Sequence, residues 1–312
     1  MLLPKDITSV LEEHYEVPNI LEGQVLINTH TFAARVGDHK EYVVRRTTDP
    51  LRTKAYCLEK EITDKLRGKF ITPTIFSTKE GKPVFTKGKH CYTLMSFLEG
   101  TQRPFAAYSD KKLSPLIDYY LNLNFEIESL SFSELVSKDR SLKKRLNLAL
   151  EKLKNSLGAS INDIWIKKTL EIVKKCLNNL DFNYLKNSPS GITHGDFNED
   201  NVLFYNKEIK ILDFLDLVTR PHVEDLAWLS QRMIPSSSKN NLSRTDLLIN
   251  KYIERNLLKD VSSNFIYQII LANAAASYPS HRELAIKFGG KYIQRQQKIE
   301  IFLQDLSEEV KI

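Results

Sequence analysis

The hydrophobic pattern of this chain changes near residue 100, and that change limits the folds open to it. Before it, short runs rich in Val, Ile, Phe, Tyr and Thr are divided by turn residues, which is typical of antiparallel strands. These runs are GQVLIN, TFAARVG, EYVVRRT, KPVFTKG and HCYTLMSFL. One helical stretch interrupts them, because Leu58, Ile62 and Leu66 recur every four residues before Gly68.

Beyond residue 110 the pattern is mainly helical, in segments such as KKLSPLIDYYLNLNFEIESL, VEDLAWLSQRM and SSNFIYQIILANAAAS. One polar segment with two short apolar runs, residues 193–214, interrupts these helices. The sequence therefore predicts an α+β chain with two lobes. A small antiparallel β domain is expected at residues 1–98 and a larger helical domain at residues 99–312.

The composition is that of an ordinary folded protein, with 42% hydrophobic and 27% charged residues among 312. No apolar stretch approaches the roughly 18 residues of a membrane span, and the N-terminus MLLPKDITSVLEEHYEV lacks a signal-peptide core. Cys57, Cys91 and Cys176 have no close spacing, so they suggest neither a disulfide framework nor a zinc site. We expect a cytoplasmic protein.

The net charge of +6 is dispersed along the chain. In KKRLNLALEKLKNSLG and IWIKKTLEIVKKCLNNL the lysines stand between apolar residues at helical spacing, which predicts amphipathic helices with solvated basic faces. No basic surface interleaved with aromatic residues, of the kind that binds single strands, is evident. We therefore expect neither a nucleic-acid nor a membrane partner.

The polar segment THGDFNEDNVLFYNKEIKILDF predicts a β-hairpin. If the strands VLFY and IKIL are joined by a three-residue turn, Tyr205 pairs with Ile209 and Val202 with Leu212. One step outward, Asn201 then faces Asp213, with Cβ atoms roughly 5 Å apart. An amide oxygen and a carboxylate at that distance suit Mg²⁺, which takes a few such oxygens together with water and phosphate oxygens.

Asp196 lies on the loop that leads into this hairpin, five residues before Asn201. An Asp there can lie beside the metal without binding it, and can orient a hydroxyl group and accept its proton, as phosphoryl transfer requires. Gly195 suits a loop conformation that a β-carbon would hinder. His194 is expected to hydrogen-bond to nearby backbone rather than to act in chemistry. The alternative for the whole set is a polar hairpin with solvated ends.

The motif His194-Gly195-Asp196-x4-Asn201, followed by ILDFLD, resembles the aminoglycoside phosphotransferase and choline kinase-like superfamily, which are small-molecule relatives of the protein kinases. The later segment PHVEDLA matches the same family. The resemblance implies a protein kinase-like fold and transfer of the γ-phosphate of ATP or GTP. It further implies that Asp196 is the catalytic base, that Asn201 and Asp213 bind magnesium, and that Asp225 is a buried acid supporting the catalytic loop.

The resemblance also implies a basic residue on the third strand that binds the nucleotide phosphates and pairs with a helix glutamate. Arg45 is the candidate, with Arg46 directed to the other strand face. Glu59 is the expected partner, and Glu61 is the alternative. Backbone amides of residues 28–31, in INTHTF, are expected to cover the phosphates, although a plain hairpin turn fits equally.

The segment YTLMSFLEG resembles the kinase hinge, which binds adenine through main-chain groups. Ser96, Phe97 and Leu98 are the expected contacts, with Leu94 and Met95 lining the purine site. The choice between ATP and GTP stays open.

The acceptor is the least determined part. A small cationic compound, an aminoglycoside or an amino alcohol, is expected, because acidic groups would suit the first and an aromatic box the second. The candidate lining residues are Asp216, Glu224, Trp228, Arg232, Tyr278 and Tyr292. Two other functions stay open: a catalytically inactive nucleotide-binding protein of the kinase fold, and a metal-dependent hydrolase using His194, Asp196 and Asp213, with His222 as a further candidate. The oligomeric state stays open.

Overall fold

A computed structural model of the chain describes residues 3–15, 17, 23–28, 31–37, 41–130, 141–159, 163–233 and 241–310. They form two compact units. The first takes in the described residues of Met1–Arg103, Glu126–Ser137 and His194–Val218, and the second those of Pro104–Phe125, Lys138–Thr193 and Thr219–Ile312.

The polar hairpin therefore groups with the β-rich residues, although the two-domain prediction placed it with the helical ones. Main-chain hydrogen bonds account for this: the Ile211 amide donates to the Ile71 carbonyl (3.0 Å), and Thr101 and Phe204 exchange two bonds of 3.0 Å. The boundary at residue 98 itself stays a prediction.

Ten strands and ten α-helices are found among the described residues. The strands are β1 (Gln24–Asn28), β2 (Thr31–Val36), β3 (Tyr42–Thr47), β4 (Ile75–Phe76), β5 (Phe85–Lys87), β6 (His90–Ser96), β7 (Ser190–Thr193), β8 (Val202–Tyr205), β9 (Glu208–Ile211) and β10 (Val218–Pro221). The helices are α1 (Lys5–His14), α2 (Pro50–Leu66), α3 (Asp110–Ser129), α4 (Leu142–Ala159), α5 (Ile164–Asn179), α6 (Phe182–Asn187), α7 (His222–Met233), α8 (Asn241–Glu254), α9 (Ser263–Phe288) and α10 (Lys291–Glu309).

The first unit contains an antiparallel sheet with strand order β1-β2-β3-β6-β4, in which β5 also pairs with β6. Helix α1 covers one sheet face, because Ile7, Val10 and Leu11 fall at helical spacing and are buried there. Burial of each such side chain contributes roughly 1.5–3 kcal/mol. The cluster also contains Phe32, Ala34, Val36, Val44, Tyr92 and Leu94. Helix α1 was not predicted from the sequence.

The alternation of side chains along β3 directs Arg45 and Arg46 to opposite sheet faces, as expected. Arg46 lies on the α1 side, where it pairs with Asp6 (2.7 Å). Arg45 lies on the other face and pairs with Glu59 of α2. The alternative partner Glu61 pairs instead with Lys65 on the exposed side of the same helix.

The predicted register of the β8–β9 hairpin is wrong by one residue. Tyr205 pairs with Glu208, and Val202 pairs with Ile211. The reason is the turn, in which Asn206 (φ 48) and Lys207 (φ 69) both adopt the left-handed conformation and close a two-residue loop. Asn201 therefore faces Leu212, whose amide donates to its carbonyl (2.9 Å), and Asp213 lies one residue further on.

The second unit is built mainly of helices, with one two-stranded sheet, β7–β10. Helix α9 is almost entirely apolar on its buried side and packs against α4, α5, α7 and α10. The buried carboxylate of Asp225 accepts hydrogen bonds from the hydroxyls of Tyr120 (2.8 Å) and Tyr252 (2.7 Å). Asp225 thereby joins α7 to α3 and α8. The resemblance implied that this buried acid supports the catalytic loop, whereas its hydrogen-bond partners among the described residues are these two tyrosines.

The predicted α+β class, with a small antiparallel sheet followed by a larger helical part, is confirmed. Among the described helices, none combines the length and hydrophobicity of a transmembrane span.

Candidate active site

The loop between β7 and β8 holds Asp196 through two asparagine side chains. Nδ2 of Asn198 donates to Asp196 Oδ1 (2.8 Å), and Nδ2 of Asn201 donates to Asp196 Oδ2 (3.1 Å) and to its carbonyl oxygen (2.9 Å). Oδ1 of Asn198 in turn accepts a hydrogen bond from the Asp200 amide (2.8 Å). The carboxylate orientation is therefore set by the loop itself, which suits a group that must receive a proton from a positioned substrate.

Gly195 and His194 determine the path of this loop. Gly195 has φ +75, and a β-carbon there would lie 1.8 Å from the Asp216 carbonyl oxygen, so only glycine fits. Nε2 of the buried His194 lies 3.1 Å from the Leu212 carbonyl oxygen, and its ring contacts Phe214. The expectation that His194 hydrogen-bonds to backbone is confirmed. This contact ties the loop between β7 and β8 to the residue that follows β9.

Asp213 follows β9 in the left-handed conformation (φ 61), which Asp tolerates better than most residues. This turns the chain out of the strand. One Asp213 carboxylate oxygen accepts the Leu215 amide (3.4 Å), and the Phe214 amide donates to Oε1 of Glu59 (3.3 Å). The two residues that follow Asp213 are therefore held by its own carboxylate and by Glu59.

Arg45 and Glu59 form a buried ion pair. Nη1 of Arg45 lies 3.3 Å from Oε1 of Glu59, and Nη2 makes a second contact with Oε2. Burial raises the pKa of Glu59, and Arg45 only partly opposes this. Burial also disfavours the charged form of Arg45, but the carboxylate of Glu59, with a smaller contribution from Asp213, outweighs it and raises the arginine's pKa.

Tyr56 completes this cluster and was missed in the sequence. It lies three residues before Glu59, on the same face of α2, and that spacing is the signal that could have identified it. The Arg45 guanidinium carbon lies 4.5 Å from the centre of its ring. The Tyr56 hydroxyl and Nε of Arg45 are inaccessible and have no hydrogen-bond partner among the described residues. Such orphaned donors indicate a place for ligand or water oxygens.

Asn201 and Asp213 provide a donor set that fits magnesium. Because Nδ2 of Asn201 is turned toward Asp196, its Oδ1 is the atom left for a ligand. Asp213 adds a carboxylate whose hydrogen bonding within the described residues is limited to the Leu215 amide. One amide oxygen and one carboxylate leave several positions for water and phosphate oxygens, as Mg²⁺ prefers.

The predicted hinge residues differ in whether their backbone amides already have hydrogen-bond partners. The Ser96 amide donates to the Thr74 carbonyl (2.8 Å) and the Phe97 amide to the Glu41 carbonyl (2.6 Å). The Leu98 amide has no such partner in the part of the chain that the structure describes. Of the three amides, that of Leu98 is the one open to a base. Residues 29 and 30, in the loop predicted to cover the phosphates, lie outside the described residues.

The residues predicted to line the acceptor site do not form one group. Tyr278 is fully buried and hydrogen-bonds to Glu300 (3.1 Å), and Tyr292 contacts Phe288. Asp216 belongs to the first unit. The other three, Glu224, Trp228 and Arg232, lie at four-residue intervals on one face of α7.

The model of the phosphotransferase enzyme family (APH) matches residues 26–245, which is more than half of the chain. None of the curated proteins compared matches the sequence.

Solved structures with the same fold include three phosphotransferases. Spectinomycin phosphotransferase APH(9)-Ia, in complex with ADP and spectinomycin, is 13% identical, with 98% of this chain and 99% of that chain covered and a TM-score of 0.61. An aminoglycoside phosphotransferase from Alicyclobacillus acidocaldarius is 14% identical, with coverage of 99% and 96% and a TM-score of 0.62. APH(2″)-IIia in complex with GDP and kanamycin is 14% identical, with coverage of 97% and 97% and a TM-score of 0.64.

At such low identities the likeness shows the fold alone, and the predicted protein kinase-like two-lobe fold is confirmed. The family is shown by the match over residues 26–245. The chain belongs to the phosphotransferase enzyme family, as an enzyme that transfers phosphate to an alcohol group.

Proposed function

We propose that the protein is a small-molecule kinase that transfers the γ-phosphate of ATP or GTP to a hydroxyl group of a small acceptor, in a reaction that requires Mg²⁺. Relatives of the same fold were solved with ADP and spectinomycin and with GDP and kanamycin, which supports a nucleotide as the donor. The acceptor class expected from the resemblance, an aminoglycoside or an amino alcohol, is part of this proposal.

Asp196 is the proposed catalytic base. Asn198 and Asn201 each donate to one of its carboxylate oxygens, at 2.8 and 3.1 Å, so the carboxylate is held in one orientation. It would accept the hydroxyl proton as the acceptor oxygen attacks the γ-phosphorus. A positioned base of this kind contributes on the order of 10²–10⁴ in rate.

Asn201 and Asp213 are the proposed magnesium ligands, through the amide oxygen and the carboxylate. When bound, the ion supplies charge that stabilises the β- and γ-phosphate oxygens during transfer. The chain's own contribution is to hold the two ligand residues: Asn201 by its bonds to Asp196, and Asp213 by the backbone bonds on either side of it.

Arg45 is the proposed phosphate-binding cation, and Glu59 positions it. The orphaned Nε of Arg45 and the Tyr56 hydroxyl support this, because phosphate oxygens would satisfy both donors. The predicted hinge, Ser96, Phe97 and Leu98, would bind the base, mainly through the Leu98 amide.

One observation carries the proposal. A continuous set of contacts links the base, the metal ligands and the phosphate-binding cation: Asp196 to Asn201, the Asn201 carbonyl to Leu212, and Phe214, next to Asp213, to Glu59 and Arg45. An inactive protein of the same fold would need no such linkage. The hydrolase alternative needs a cage of metal-binding side chains, and no group of three His, Cys, Asp or Glu that could hold a metal occurs among the described residues.

A nucleotide-consumption screen tests the proposal. ATP and GTP, each with Mg²⁺, would be combined with aminoglycosides, choline, ethanolamine, homoserine and sugars. We expect acceptor-dependent consumption that is lost in Asp196→Asn and kept in Asp200→Asn, a matched change on the same loop. Consumption that is independent of every acceptor and unchanged in Asp196→Asn would contradict a kinase that uses this base.

A further inference from the structure

Three guanidinium groups surround the indole ring of Trp228 in the second unit. The guanidinium carbons of Arg232, Arg220 and Arg145 lie 5.0, 5.4 and 5.8 Å from the ring centre. Each is near enough for a cation–π contact. They come from α7, β10 and α4, so only the tertiary fold brings them together. We call Arg145, Arg220, Trp228, Gln231 and Arg232 the Trp228 cluster.

The positive charges of the three arginines are not equally neutralised by neighbouring groups. Arg145 pairs with Glu224 (2.9 Å) and also hydrogen-bonds to Asn273. Arg220, only 8% exposed, and Arg232 form no ion pair or hydrogen bond with any described residue. Asp225 and Arg220 both act electrostatically on Tyr120. The Asp225 carboxylate, however, already accepts hydrogen bonds from two tyrosine hydroxyl groups. Because buried charges are normally paired, this excess of positive charge indicates a missing anion.

The cluster also contains unused hydrogen-bonding atoms. Nε1 of Trp228, Nε of Arg232 and Oε1 of Gln231 are inaccessible and have no partner among the described residues. Gln231 is 6% exposed, and it and Arg232 lie three and four residues after Trp228, so all three share one face of α7. Two donors would suit an anionic oxygen, and the Gln231 oxygen would suit a hydroxyl group.

His281 on α9 lies within the electrostatic reach of Arg232. Burial is the main cause that lowers the pKa of His281 from 6.5 to about 4, and the positive charges of Arg232 and Arg295 add to this effect.

We propose that the Trp228 cluster binds the anionic group of a small hydroxy compound that bears a carboxylate or a phosphate ester. Guanidinium groups bind both anions, often through two parallel hydrogen bonds.

Binding can be measured without turnover, because the chain has two tryptophans, Trp165 and Trp228. In Trp165→Phe the fluorescence comes from Trp228 alone. We would titrate this variant with matched probes: L-homoserine against 2-amino-1,4-butanediol, glycerate against glycerol, and glycerol 3-phosphate. Kanamycin is the cationic probe.

We expect saturable fluorescence changes with at least one probe that bears a carboxylate or phosphate, and none with its analogue that lacks this anionic group. Arg232→Gln, made in the same background, should weaken that binding about tenfold or more. Arg255→Gln, the same change at an exposed arginine of the second unit, should not. No saturable response to homoserine, glycerate or glycerol 3-phosphate, equal affinity in Arg232→Gln, or tighter binding of kanamycin would each overturn the proposal.

Discussion

Phe214 donates its amide hydrogen to Oε1 of Glu59, at 3.3 Å and across 155 residues of sequence. The same carboxylate pairs with Arg45. Glu59 thus ties the backbone beside Asp213 to the third strand of the sheet. The position of Asp213 therefore depends on a buried ion pair that would be costly to break.

The first prediction concerns that ion pair. Arg45→Met should leave Glu59 buried without a partner and lower the free energy of unfolding by about 3–5 kcal/mol. Arg46→Met removes a similar pair, with Asp6, that is partly exposed and should cost about 1 kcal/mol or less. Urea unfolding of both variants measures these losses of stability. A larger loss in Arg46→Met than in Arg45→Met would show that the Arg45–Glu59 pair is not the more important of the two for stability.

Arg45→Lys keeps the charge and loses the planar fork, so the protein should remain folded. Its affinity for ATP should nevertheless fall about tenfold, if Arg45 binds the phosphates. Calorimetric titration with ATP and Mg²⁺ measures the change, with Arg46→Lys as the matched control. An affinity that is unchanged in Arg45→Lys would remove Arg45 from the nucleotide site.

Gly195 gives the second prediction. In Gly195→Ala the new β-carbon would meet the Asp216 carbonyl oxygen at 1.8 Å, so the catalytic loop must move. We expect phosphoryl transfer to fall more than about a hundredfold, because small displacements of catalytic groups are costly. Gly88→Ala is the control, since Gly88 also has a positive φ but has no atom near its β-carbon position. Equal activity in the two variants would contradict the proposed role of the close approach.

The third prediction is a pH dependence. Folded His281 binds a proton only near pH 4, whereas the unfolded chain binds it near 6.5, so the unfolded state gains protons first. Stability should be constant above pH 6.5 and fall as the pH drops from 6.5 toward 4. Because this side chain is partly exposed, the loss should stay below about 3 kcal/mol. Urea unfolding of wild type and His281→Gln at pH 7 and 4.5 measures it; the same loss in both proteins would exclude His281.

The residue types of the candidate site could be identified from the sequence, but their geometry could not. Asp196, Asn201 and Asp213 stand in one short segment, so their residue types and spacing were enough to predict a phosphoryl-transfer site. The hairpin register depended on whether Lys207 would adopt a left-handed conformation, which is unfavourable for lysine and was not expected. Because of that single conformation, Asn201 faces Leu212, and Asp213 lies one residue beyond the position opposite Asn201.

Two other features depended on tertiary packing. Helix α1 is short, and its apolar side chains gain stability only against the sheet, so its sequence pattern alone was weak. The Trp228 cluster combines β10, α4 and α7, and no local pattern brings Arg145 and Arg220 to the same ring.

The fourth prediction concerns Asp213, the proposed metal ligand. Asp213→Asn preserves the left-handed conformation, which Asn tolerates, and removes the charge. Phosphoryl transfer should be abolished, and circular dichroism should stay native because the residue ends a hairpin and does not fill the core. Glu208→Gln, an equal charge change on the exposed part of the same hairpin, is the control. Full turnover by Asp213→Asn would end the metal assignment.

The separation of roles between Asp196 and Asp213 is the central claim. Calorimetric binding of a non-hydrolysable ATP analogue with Mg²⁺, measured for Asp196→Asn beside Asp213→Asn, tests it without needing the acceptor. We expect Asp196→Asn to bind as tightly as wild type while its nucleotide consumption falls by about 10² or more, and Asp213→Asn to lose the magnesium-dependent binding. If Asp196→Asn instead lost affinity as Asp213→Asn does, Asp196 would be a metal ligand and the proposed base would be wrong.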